Sequence, residues 1–114
     1  MQLGAWGIAL DSTYVYWANF HGNQVRRAPK AGGDVETLAT GQDGATGLTL
    51  DSTHVYWANR RAGEIKRMLK AGGGMETLAT DQDYAMGVAV DDTLIYWTNI
   101  AGDQVVRLPF CALE

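Results

Sequence analysis

Short apolar runs and short polar clusters succeed one another along this chain at a spacing that suits strands and turns, with no helical period anywhere. Gly7-Ile8-Ala9-Leu10 opens the pattern, and Asp11-Ser12-Thr13 interrupts it with side-chain oxygens that bond nearby backbone N–H groups and favour turns. The run from Tyr14 to Asn19 is then aromatic and β-branched, the strongest strand signal in the sequence. His21-Gly22-Asn23 supplies residues that tolerate positive φ, as a tight hairpin requires. A third strand is predicted over 24–28, ended by Pro29 and the turn Lys30-Ala31-Gly32-Gly33, and a fourth over 35–40, whose alternating polar residues suit an outer strand touching water.

The same sentence is written three times. GIALDSTYVYWAN from Gly7 returns as GLTLDSTHVYWAN from Gly47 and GVAVDDTLIYWTN from Gly87, in an unbroken register of forty residues. Four antiparallel strands in roughly 40 residues is the pattern of a β-propeller blade. The first strand of each copy pairs small residues (Gly7, Ala9, Gly47, Thr49, Gly87, Ala89) with large ones (Ile8, Leu10, Leu48, Leu50, Val88, Val90), an asymmetry suited to a crowded axis. The second strand is apolar on both faces, so it must be covered on both sides, as in stacked wedges.

VYWAN and IYWTN resemble the YWTD repeat of low-density-lipoprotein-receptor-type six-bladed propellers, and the accompanying Gly, Val, Arg, Pro and Gly-Gly pattern is similar to repeats of bacterial secreted or surface proteins. The resemblance spans nearly the whole chain. It departs at the last motif position, where Asn19, Asn59 and Asn99 replace the family's Asp; both side chains accept backbone N–H bonds, so a role stitching strands together survives the change.

The expected architecture is therefore all-β, with about three blades per chain: residues 7–46, 47–86 and 87–112, the last lacking its outer strand. Propellers close with about 4 to 8 blades. Three cannot close, and two identical chains would make six, so a homodimer is expected. Tyr16 and Trp17 of the first blade and Tyr96 and Trp97 of the third are the expected dimer interface. The competing account is a piece of a longer propeller. Leu113-Glu114 resembles the remnant of a purification tag and is set aside.

Composition narrows the function without fixing it. The net charge of −4 argues against a nucleic-acid partner. No apolar run is long enough for a membrane span, and no basic start precedes an apolar core, so no membrane partner or signal peptide is expected. The compartment stays open, though the family resembled is often secreted or cell-surface. Cys111 has no second cysteine and reads as a bystander thiol.

No nucleophile with its base, metal spacing or phosphate loop is present, so no catalytic residue, metal or cofactor is assigned. Residues shared by all copies are explained by the repeat. Asp11, Asp51 and Asp91 read as turn residues, Arg27, Arg67 and Arg107 as packing or strand-pairing residues, and the motif tryptophans as inter-blade core. Function should lie where the copies differ, which the propeller resemblance places in loops at one channel mouth. The candidates there are Trp6, His21, Arg60, Arg61, Tyr84 and Asp103, with Phe20, Gly44, Thr46, Met86 and Ile100 among the varied positions. A His, two Arg, aromatics and a carboxylate suit an anionic small molecule, a sugar or a peptide. A self-assembling binding or scaffold module is the leading reading. The alternative is a channel-centred hydrolase or lyase formed on dimerisation, disfavoured because the predicted axial strands carry Gly, Ala, Ile, Leu, Val and Thr.

Overall fold

The computed structural model describes residues 5–82, 84–101 and 104–110, and contains eleven strands in three antiparallel sheets. The first sheet is β1 (Ala5–Leu10), β2 (Tyr14–Asn19), β3 (Gln24–Pro29) and β4 (Glu36–Ala39), each beside its chain neighbour. The second repeats it with β5 (Ala45–Leu50), β6 (His54–Asn59), β7 (Glu64–Leu69) and β8 (Glu76–Ala79). The third has β9 (Ala85–Val90), β10 (Leu94–Asn99) and β11 (Gln104–Pro109). This is an all-β chain of three propeller blades. The third has no outer strand among the described residues.

Turn chemistry places the strands as the sequence predicts. Oδ1 of Asp11 accepts the N–H groups of Thr13 and Tyr14, both at 2.8 Å, and Asp51 and Asp91 do the same for their own turns. Asn23 (φ 57°) and Gly63 (φ 69°) supply the left-handed residue of the next hairpin. Each first strand begins two residues earlier than expected, because it carries a bulge. Ala5 pairs with Asn19 and Ile8 with Trp17, one residue more on β1 than on β2, and β5 and β9 repeat the irregularity.

Blades meet through unlike faces. Ile8, Trp17 and Arg26 are cross-strand partners and share one face of the first sheet, here called the leading face; Ala9, Tyr16 and Arg27 share the other, trailing face. The trailing face of the first sheet, with Tyr16, Ala18 and Val25, packs on the leading face of the second, with Leu48, Val55, Trp57 and Met68. Tyr56, Ala58 and Ile65 then pack in the same way on Ile95 and Trp97 of the third. The small residues of the inner strands let this happen. A Cβ on Gly7 would stand 2.5 Å from the carbonyl oxygen of Thr46, and one on Gly47 would collide with that of Met86.

Two of the four expected interface residues are used up inside the chain. Tyr16 and Trp97 are buried in these two junctions, whereas Trp17 and Tyr96 lie on the outer faces of the end blades, half-buried. Alternation along a strand forces this outcome: neighbouring residues point to opposite faces, so one of each pair must face inward.

A polar lock fastens each junction at one end, and the first junction carries a further lock at the other. At one end Gln42, in the β4–β5 connection, accepts at Oε1 from Asn59 Nδ2 (2.8 Å) and Trp57 Nε1 (3.3 Å); Gln82 does the same for Asn99 (2.8 Å) and Trp97 (2.9 Å). The motif Asn thus stitches blades by donating a side-chain N–H, where sequence suggested it would accept backbone bonds. At the other end Lys70 Nζ lies 2.9 Å from Asp11 Oδ2, and Arg27 Nη1 donates to the Lys70 carbonyl at 2.7 Å. Arg27 and Arg67 also pair with Glu36 (3.2 Å) and Glu76 (2.9 Å) on the outer strands, as their strand-pairing role requires.

Candidate ligand-binding rim

The turns after β2, β6 and β10 and the connections leading into β5 and β9 gather at one end of the sheets, because backbone bonds tie them together. Gln42 N–H donates to Asn23 O (2.9 Å), Arg60 N–H to Gly44 O (2.8 Å), Gln82 N–H to Gly63 O (2.9 Å) and Ile100 N–H to Tyr84 O (3.2 Å). The loops that differ most between copies therefore form one continuous rim.

On this rim the side chains alternate between rings and guanidinium groups. Trp6 and Phe20 pack with centroids 5.5 Å apart, and His21 meets Phe20 edge-on at 5.0 Å. Arg60 lies between two rings, 5.0 Å from the Tyr84 centroid and 6.0 Å from that of Phe20. Arg61 stands 4.9 Å from Phe20, and its charge is met by Asp43 at 3.0 Å and by Asn23 Oδ1 at 3.0 Å. A guanidinium over ring faces, as at Arg60, keeps its edge N–H groups available to a ligand. A hollow of about 300 Å³ opens beside them, lined by Arg60, Arg61, Gln82, Tyr84 and Ala101.

Of the predicted residues, Trp6, His21, Arg60, Arg61 and Tyr84 share this rim. Asp103 lies outside the described residues, as does Cys111. Thr46 belongs to the core: its hydroxyl is buried and reaches the Ala58 carbonyl at 3.3 Å. Tyr84 adopts φ 53° where the preceding copy has Gly44 at φ 79°. A bulky residue in this left-handed region is held against its own preference, a feature that concentrates at functional positions. Asp43 and Gln82, which sequence reasoning passed over, join the site. Gln82 had a signal, since Gln42 recurs one repeat earlier.

The comparisons agree on the class of fold. Protein-family profiles and curated protein sequences give no match. Solved structures match along nearly the full chain. A streptogramin B lyase superposes with a TM-score of 0.83 at 18% identity over 96% of this chain and 39% of its own. A nidogen/laminin complex gives 0.82 at 21% identity over 95% and 44%. The computationally designed Ika4 protein gives 0.60 at 14% identity, over 96% of this chain and 92% of that one. This chain is a β-propeller repeat domain, and it spans about two-fifths of the length of the lyase chain it matches.

Proposed function

We propose that the chain is a half ring that pairs with a second copy to close a six-bladed propeller, and that the assembled ring is a binding or scaffold module with its ligand at the aromatic and guanidinium rim. One observation carries this reading. Positions buried at the two junctions inside the chain are bare at its two ends. On the trailing faces Val25 and Ile65 are 0% exposed, whereas Val105, their counterpart on the third blade, is 75% exposed. On the leading faces Leu48 is 8% exposed, whereas Ile8 is 69% and Leu10 60% exposed.

Features of the two bare faces support this pairing. A shallow apolar hollow of about 270 Å³ on the third blade is lined by Gly87, Val88, Ala89, Tyr96, Trp97, Thr98 and Val105. Ile8 and Leu10 are the bulk that would fill it, as Leu48 and its neighbours fill the equivalent site within the chain. Asp91 and the exposed Lys30 repeat the positions of Asp11 and Lys70, and so carry the halves of a second lock of that kind. A specific interface needs about 1,200 Å² in total, which is the area the two seams together must bury.

Both a lyase and a laminin-bound protein share this fold. Binding is preferred because the rim offers stacking surfaces and guanidinium edges, which recognise anionic or hydroxylated ligands. Sedimentation velocity at micromolar concentration is the test of assembly, with a dimer expected. Gly87→Ala is the sharpest variant, since its new methyl meets nothing nearer than Thr98 Oγ1 at 3.5 Å in the single chain but would collide across a junction built like that at Gly47. It should fold and stay monomeric. A wild-type chain that is a well-folded monomer overturns the proposal.

A further inference from the structure

The end of the blades opposite the rim holds a second cleft, and the chain's own repeat indicates what fits there. Between the first and second sheets the corresponding space is filled by Lys70. Its ammonium lies 2.9 Å from Asp11 Oδ2 and 6.0 Å from the centroid of Tyr16, whose hydroxyl donates to the same carboxylate oxygen at 3.3 Å. Between the second and third sheets most of that apparatus is repeated: Asp51 stands for Asp11, Tyr56 for Tyr16, His54 for Tyr14, and Arg67 for Arg27. The lysine is not. Its place in the repeat is taken by Phe110, whose ring packs 6.0 Å from that of Tyr56.

The exchange leaves a cleft of about 390 Å³, lined among others by Asp51, His54, Tyr56, Arg67, Asp91 and Phe110. Asp51 Oδ1 is occupied by the N–H groups of Thr53 (2.9 Å) and His54 (2.7 Å), and Oδ2 accepts the Tyr56 hydroxyl at 2.5 Å. A carboxylate oxygen has room for a second donor, and on Asp11 that donor is the lysine. No ion pair to Asp51 occurs among the described residues. Arg67 is engaged with Glu76 at 2.9 Å, while Asp91 and Asp92 add negative charge on the far side of the cleft. The walls are the rings of Tyr56, His54 and Phe110, apolar surface suited to a short alkyl stem and a cation.

We propose that this cleft binds an alkylammonium group, its N–H donated to Asp51 Oδ2 and its stem against Tyr56 and Phe110. The group is one that either a free primary amine or a lysine side chain of another protein would present. The cleft lies within one chain, so the proposal stands apart from self-assembly and from the rim.

The test is titration of the whole chain with butylammonium chloride at constant ionic strength, followed by amide chemical shifts of Thr53, His54 and Tyr56. Saturable shifts on the order of millimolar concentration are expected, a single charge-assisted contact being weak. Asp51→Asn keeps an acceptor for the turn and should weaken binding at least about tenfold, since a charge-assisted bond is roughly twice as strong as a neutral one. Phe110→Lys should restore the internal lysine and abolish binding, and it decides the matter if the Asp51 variant folds poorly. Equal shifts with neutral butanol, unaltered binding in Phe110→Lys, or no saturable shift each overturn the proposal. Tighter binding of N-acetyl-lysine methylamide than of butylammonium supports it with a protein lysine as the source; weaker binding of that probe supports it with a free amine.

Discussion

Asn59 has a task that a carboxylate cannot perform. It is buried, and its Nδ2 donates to Gln42 while its Oδ1 accepts from Trp57 Nε1 at 3.1 Å. Asn59→Asp removes the donor and sets a charge beside Gln42 Oε1. Turning the Gln42 amide would restore one bond but set its Oε1 against the Thr40 carbonyl, to which its Nε2 now donates at 2.8 Å. A loss of about 1–3 kcal/mol is expected, the cost of a buried polar group left unsatisfied, read from the urea midpoint. Tyr84 presents the opposite case. At φ 53° its backbone is strained, and Tyr84→Gly relieves that strain while removing one ring from the Arg60 sandwich. Stability should change by less than about 1 kcal/mol, because the two effects oppose each other. The ligand binding proposed for the rim, measured by calorimetry with anionic sugars, should fall nonetheless.

Within the elements, the second sheet shows what a blade needs, since it has a neighbour on each face. Trp57 is fully buried against the first sheet. Trp57→Ala should cost about 3–5 kcal/mol, the usual range for emptying such a site, and a denaturant midpoint that barely moves would refute wedge packing. Strand order, turn positions and blade count were legible because the turn residues Asp, Gly and Asn recur at fixed offsets between aromatic runs. Which side of the second strand meets which neighbour was not legible. Tyr16 and Trp17 are both large and aromatic, and an alternation with two apolar faces carries no sign. The Gln locks escaped notice because a glutamine in a loop has no propensity that marks it, although its constant spacing of 15 residues from the Trp was there to be read. The Asp11–Lys70 lock makes a prediction about acid. The lysine is the largest cause holding the Asp11 carboxyl far below its usual range, followed by the Tyr14 amide. A depressed carboxylate contributes stability that is complete above its unfolded value, near 4, and is lost as pH falls toward the folded one. Unfolding midpoints should hold steady above about pH 5 and decline below about pH 4, as is usual for a paired Asp. Lys70→Met should flatten that decline.

Across the whole molecule, three wedges make an arc with two unlike ends. The leading face of the first sheet presents bulk at Ile8 and Leu10, and the trailing face of the third presents a hollow around Gly87 and Val105. In the pair we propose, the arcs join head to tail, since neither end matches itself. Pairing in this sense can be examined by subunit mixing. Ile8→Lys spoils only the leading end and Gly87→Ala only the trailing one, so each variant alone puts a defect in both seams of a closed pair. A mixed pair places both defects in one seam and leaves the other sound. Neither variant should associate by itself, whereas an equimolar mixture should yield a one-to-one complex by native mass spectrometry. Rescue by a second broken copy is a form of complementation that like-to-like pairing of either face would not produce.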